Sequence, residues 1–211
     1  MWTDEDVLEI LNNFITCKKE DFTYDYGNDF IYNNNLTQSF LDNFNICSGA
    51  TRMVFVGKEK KYNCVYKISY TNVWEIDYCE EEYERGREIT DAGFGDLVLQ
   101  LSFVGTLDNG LMLYKQKKGQ TIEDYGSPNS YRSQESIDCA SDYFSYSHNS
   151  IEDENWIADL FAYCGEERGW DFISFLEENE FDTDLHRGNY GYCNNIPCLI
   201  DYAGYISDIE F

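Results

Sequence analysis

Val7, Leu8, Leu11, Phe14 and Ile15 recur at the three- and four-residue spacing of one helical face, and Thr3 with Asp6 forms a near capping box ahead of them. The pattern predicts an amphipathic helix at the start of the chain. Residues 18–45 scatter aromatics among Asn, Asp and Gly, as in YDYGND and NNN, and read as turns and short strands. From Ile46 the period changes. The small polar stretch CSGAT runs into MVFV, and a second strand, CVYKISY at 64–70, follows a charged hairpin tip at 57–61. Residues 73–91 read as a helix that ends at Gly93. LVLQLSFV at 97–104 and LMLY at 111–114 flank Asp108, Asn109 and Gly110, and Asn-Gly suits the positive φ of a tight primed turn. A sheet of about five antiparallel strands is expected. Residues 126–150, rich in Ser and Tyr, have no period and read as loop with at most a helical turn. Ser150 with Asp153 then caps a helix bearing Trp156, Ile157, Leu160, Phe161 and Cys164, and a second helix over 170–178 bears Ile173 and Leu176. The fold class is α+β.

Composition narrows the function. The 211 residues are 43% hydrophobic and 17% aromatic with only 2 Pro, which describes a folded chain able to bury a core. Forty acidic residues against 15 basic ones give a net charge of −25, a field that repels phosphate backbones and so argues against direct DNA or RNA binding. The same field attracts divalent cations and basic protein surfaces, and equally serves solubility. Eight cysteines without a C-x-x-C pair, and two histidines, His148 and His186, form no zinc pattern. The acidic start MWTDED lacks a basic-then-apolar leader, so free thiols in a reducing cytoplasm are expected, and no apolar run approaches a membrane span.

The chemistry concentrates in FDTDLHRGN at 181–189 and the short apolar Leu199-Ile200 that leads into Asp201. Asp184 and Asn189 lie five apart on a Gly-bearing loop, and a loop and a strand end bring Asp, Asn and Asp to one place. Oxygen donors of this kind suit Mg²⁺. The same string also suits a polar turn, where Asp and Asn are common. Upstream, Lys67 sits between apolar neighbours inside a strand and needs a partner if buried. Glu80, Glu81, Glu82 and Glu84 on the following helix offer one, with Glu82 favoured by its distance from Gly93 and Glu81 next. A run of glutamates is equally a solvated helix face.

In this order the residues resemble the kinase superfamily, from about Ile46 to Gly204. Asp184-Leu185 and Asn189 keep the register of D-L-x-x-x-N, and DLHRGN is similar to the D-L-H-x-G-N of small-molecule and atypical kinases. Asp182 and Thr183 stand at the H-R positions, and Asp201-Tyr202-Ala203 stands where D-F-G would be. On the Gly-rich loop pattern, Cys47, Gly49 and Arg52 fall at the three glycine positions and only Gly49 is glycine.

The resemblance implies a protein-kinase-like fold: residues 1–45 as an N-terminal extension, 46–118 as a small lobe, and 119–211 as a minimal large lobe. It implies ATP and Mg²⁺ as cofactors. Lys67 would hold phosphates and pair with Glu82, and Gly49 and Arg52 would lie in the loop over them. Tyr114 and Lys115 would lie at the hinge whose backbone meets adenine. Asn189 and Asp201 would hold metal, and Asp184 would be the catalytic base. Since the chain ends about ten residues past Asp201, an activation segment and later helices are not expected, as in compact phage-encoded kinase-like proteins. The function implied is an ATP-Mg²⁺-dependent phosphotransferase with an unidentified acceptor. The alternative is a catalytically inactive pseudokinase or acidic decoy that blocks a basic, nucleic-acid-binding host protein in an anti-defence role. Trp156, Ile157, Phe161, Trp170, Phe172 and Phe175 exceed what two short helices need, so the N-terminal helix or a second copy or partner chain is expected to cover them.

Overall fold

The computed structural model describes residues 2–33, 38–58, 62–72, 75–122, 132–146, 151–181 and 185–202. The chain forms two compact units, Met1–Glu84 with Gln100–Lys118, and Arg85–Leu99 with Gly119–Phe211. No described helix is long and apolar enough to cross a membrane.

In the first unit, helix α1 (Asp4–Phe14) starts on the expected capping box: Asp6 N donates to Thr3 Oγ1 at 3.2 Å and Thr3 N donates to Asp6 Oδ2 at 2.7 Å. Its apolar face buries Val7 and Leu11, each burial being worth about 1.5–3 kcal/mol. Residues 18–45 depart from the expected turns and strands, because they carry helices α2 (Tyr24–Asn33) and α3 (Gln38–Leu41). The composition of α2 is poor for a helix, but Phe22 packs at a tilt against Tyr26 and Tyr70, and Tyr26 stacks on Phe30, so ring packing overrides propensity. This segment is not a separate extension: Val7, Leu11, Phe22 and Phe40 share one core with Met53, Phe55, Tyr66, Ile68 and Leu113 of the sheet.

That sheet has strands β1 (Phe44–Ser48), β2 (Arg52–Gly57), β3 (Cys64–Ser69), β4 (Leu101–Thr106) and β5 (Met112–Lys117) in the order β1-β2-β3-β5-β4, every neighbour antiparallel. Period-2 alternation divides its residues. Met53, Phe55, Tyr66, Ile68 and Leu113 turn to the face covered by α1, whereas Arg52, Lys67, Tyr114 and Gln116 turn to the other. The β4–β5 connection is not a primed turn. Gly110 alone has positive φ, at 88°, with Gly110 N donating to Leu107 O and Leu107 N donating to Leu111 O. This is a three-residue loop with Gly110 in the bulge position. Helix α4 (Tyr78–Ile89) follows β3, starts later than its sequence pattern predicts, and meets the break at Gly93, φ 96°.

The second unit holds the rest of α4, strands β6 (Gln120–Thr121), β7 (Tyr190–Cys193) and β8 (Ile196–Leu199), and helices α5 (Gln134–Tyr146), α6 (Glu154–Cys164) and α7 (Glu166–Glu178). Asn194 and Asn195, with φ of 53° and 67°, make the β7–β8 turn a type I′ hairpin. Residues 97–99 do not extend β4. Leu99 N donates to Leu199 O and Leu199 N to Leu97 O, both at 2.8 Å, so this apolar run pairs with β8.

The stretch 126–150, expected as loop, contains α5, which buries Cys139, Ala140 and Tyr143 against α6 and α7. That supplies the cover sought for the aromatic surface. Trp156, Ile157, Phe161 and Phe172 are buried in this unit's own core, with Trp170 and Phe175 packed against it, so neither α1 nor a second copy is required.

Candidate functional site

Lys67 lies in β3, where its neighbours Tyr66 and Ile68 point into the α1-side core and its own side chain points to α4. Of the five glutamates on that helix only Glu82 is buried, at 0% exposure, and Glu80, Glu81, Glu84 and Glu88 face solvent. Lys67 Nζ donates to Glu82 Oε1 at 2.8 Å and to Oε2 at 3.0 Å. The expected pair is therefore formed.

Two further donors reach the same carboxylate: Gln116 Nε2 contacts Oε1 at 3.2 Å, and Arg52 Nη1 forms a close ion pair with Oε2. Arg52 is thus not a loop residue. It is the first residue of β2, opposite Ser69, and alternation puts it on the face of Lys67. Gly49 stands in the β1–β2 connection, where Gly49 N donates to Arg52 O, and a Cβ there would meet only Arg52 O at 3.7 Å, so no steric demand selects glycine. Cys79, fully buried on α4, has its thiol pushed up by burial.

Tyr114 lies opposite Lys67, packs on Tyr83 and Phe103, and has its phenol pushed up by burial. Lys115 faces the other way. Its Nζ donates to Asp4 Oδ1 at 2.6 Å, beside the Tyr66 hydroxyl, which donates to the same oxygen. Burial works to raise the Asp4 pKa, but these two hydrogen bonds and the lysine charge hold it below the usual range. The Lys115 side chain therefore does not join the Lys67 group.

In the second unit, the turn after Leu185 is closed by Asn189 N donating to His186 O at 2.8 Å and Gly188 N donating to His186 Nδ1 at 3.1 Å. The Asn189 carbonyl then accepts from Ile200 N at 2.8 Å and Asp201 N at 3.0 Å. Asn189 and Asp201 are thereby neighbours across two backbone bonds, the first buried and the second half-buried. Tyr202, next in chain, is buried with its hydroxyl donating to Leu99 O at 3.2 Å. Asp184 and Gly204 lie outside the described residues. Among the described residues no three His, Cys, Asp or Glu side chains gather as a metal group. A cation here would rest on the Asn189 amide oxygen and the Asp201 carboxylate, oxygen donors of the kind Mg²⁺ takes alongside water and phosphate.

Sequence reasoning missed a buried polar network on α6. Asp159 accepts from Arg132 Nε at 2.9 Å and from the Tyr192 hydroxyl at 2.7 Å, and Trp156 Nε1 donates to Gly191 O at 2.8 Å, tying α6 to β7. The signal available was an Asp inside an otherwise apolar helical face.

No protein-family model and no curated protein matches the chain. Among solved structures it is similar to the kinase domain of PknI from Mycobacterium tuberculosis. A cysteine-to-alanine mutant of that domain aligns at 13% identity with a TM-score of 0.37, over 76% of this chain and 59% of that one. A double mutant of the same domain aligns at 12% and 0.36, over 76% and 60%. The chain spans about three-fifths of the length of those domains.

Proposed function

We propose that the chain binds ATP with Mg²⁺ and transfers the terminal phosphoryl group to an acceptor hydroxyl. The observation that carries this reading is the Lys67–Glu82 pair: a lysine at 5% exposure, fixed on a strand by a fully buried carboxylate. Such an ammonium is held in one orientation and sheltered from water, as a phosphate-binding point charge needs. Bound Mg²⁺ would neutralise charge on the triphosphate. Asn189 and Asp201, joined through the Asn189 carbonyl, are the residues that would hold it. Asp184 keeps the role implied by the resemblance, accepting the proton of the attacking hydroxyl.

The test is a thermal shift with ATP, with and without Mg²⁺, followed by transfer from labelled ATP. A ligand that binds only the folded state raises the melting temperature by mass action. The expected result is a Mg²⁺-dependent rise that Lys67→Met abolishes. No shift with either Mg²⁺ or Mn²⁺ overturns the reading.

A second reading is a catalytically inactive kinase-like protein that occupies the basic groove of a nucleic-acid-binding protein. It draws on the net charge of −25 and on Asp182 and Thr183 standing at the H-R positions. A one-to-one complex with a basic partner that dissociates with added salt, in a protein that binds no nucleotide, favours it over catalysis.

A further inference from the structure

A cavity of about 320 Å³ opens within the first unit between residues 19–20, 69–71 and 75–77 and Leu111. That volume is at the lower end of the range in which small ligands bind. Its inner wall is made by the buried Ser69, Tyr70 and Leu111, with Ile76 and Asp77 half-buried beside them, while Lys19, Glu20 and Glu75 are exposed at its mouth.

Most polar groups of the wall are already used. The Ser69 hydroxyl accepts from Tyr78 N at 3.0 Å, and the Thr71 hydroxyl donates to Lys19 O at 2.7 Å. Asp77 differs. It caps α4 by accepting from Cys79 N at 3.0 Å and Glu80 N at 3.1 Å, and both bonds end on Oδ1. No hydrogen bond from a described residue reaches Oδ2. Burial holds the carboxyl above the usual range in spite of both cap bonds and of the charges of Lys19 and Arg52. Asn72 and Ile76 beside it are tied together, since Asn72 Nδ2 donates to Ile76 O at 2.8 Å and Ile76 N donates back to Asn72 Oδ1 at 3.3 Å.

A half-buried carboxylate oxygen that ends in a walled cavity favours a cation, and Glu20 and Glu75 at the mouth outweigh Lys19 in the same sense. We propose that this cavity binds a small organic cation, a primary ammonium or guanidinium on a short apolar stem. Asp77 Oδ2 is its counter-ion, and the stem rests on Leu111, Ile76 and the Tyr70 ring. The chemistry is shared by a free amine and by a lysine or arginine side chain of a peptide. Its wall contains none of Lys67, Glu82, Asn189 or Asp201.

The experiment is a calorimetric titration of the full chain with two probes, agmatine for a free cation and N-acetylarginine amide for a peptide side chain. Saturable binding of at least one is expected, and which one binds identifies the source. Asp77→Asn should weaken it about tenfold or more through loss of a charge-assisted hydrogen bond. Asn caps a helix as well as Asp does, so the variant should keep the wild-type melting temperature. The paired variant Glu20→Gln with Glu75→Gln should weaken binding less than Asp77→Asn. Absence of saturable binding at millimolar concentration of both probes overturns the proposal. So does equal binding by Asp77→Asn, or a larger loss from the mouth pair, since either means diffuse attraction to an acidic surface.

Discussion

Arg52 and Lys67, on the neighbouring strands β2 and β3, converge on one carboxylate, that of Glu82. All three side chains are at most 7% exposed, so their charges are settled by one another more than by water. The two cations are not equivalent to the anion in consequence. Glu82→Gln leaves both without their shared counter-charge and should cost about 3–5 kcal/mol, the cost of breaking a buried pair. Lys67→Met leaves Arg52 on Glu82 and should cost distinctly less. Urea unfolding of the two variants measures the order, and a greater loss for Lys67→Met would contradict it.

Under the proposed function, changes at Lys67 and at Asp201 should affect nucleotide binding differently. Lys67→Met is expected to abolish the thermal shift with ATP in the presence and absence of Mg²⁺. Asp201→Asn is expected to remove the Mg²⁺-dependent increment and keep the remainder. Comparing melting temperatures with ATP alone and with ATP plus Mg²⁺ separates the effects.

Much of this was legible in the chain, and the legible parts share a cause. Lys67 flanked by Tyr66 and Ile68 announces a buried cation and therefore a partner. Glu82 follows because α4 has a clear end at Gly93. The capping box of Thr3 and Asp6 is complete within four residues. What escaped depends on distant contacts. Val98 and Leu99 look like the first half of β4, yet their partner, Leu199, arrives a hundred residues later. Helices α2 and α5 are built from Asn, Asp, Ser and Tyr, whose propensity is weak, and take their helicity from the cores they cover. Arg52 aligns with a glycine of the loop pattern, although its alternation with Val54 and its register opposite Ser69 put it in β2.

Alkaline stability should fall with the buried phenols, Tyr26 and Tyr190 among them. Burial, with a hydrogen bond to Cys17, pushes Tyr26 up to about 12, and burial, with the nearby Asp153 charge, pushes Tyr190 to about 12. Unfolded tyrosine ionises near 10, so between these values the native state holds protons that the unfolded state has lost. The stability is fully present below about pH 10 and is lost as pH rises through about 12. Guanidinium unfolding across that window, together with phenolate absorbance, checks the sign. Tyr26→Phe and Tyr190→Phe should each make the loss shallower.

Glycines divide into those the fold requires and those it does not. A Cβ on Gly191 would lie 2.0 Å from Gln120 O, a backbone atom of the paired strand β6, so Gly191→Ala should destabilise by about 1–3 kcal/mol or more through overpacking. Gly49→Ala meets only Arg52 O, at an ordinary 3.7 Å, and should change stability by less than about 0.5 kcal/mol. Thermal melts of the two variants make the comparison, and equal effects would contradict the strand pairing at Gly191.

The chain leaves the first unit after Glu84, returns at Gln100, and leaves again after Lys118. Vectorial synthesis therefore completes the first unit only after a segment of the second has already been made. The interior strand β5 must emerge before β3 gains its second neighbour, and by then Ile89, Phe94 and Leu97 are already outside the ribosome, awaiting Ile157 and Phe172 of the core they join. A nascent chain halted between residues 118 and 150 would expose that apolar segment to chaperones. For the same reason no single cut in the polypeptide liberates a whole unit.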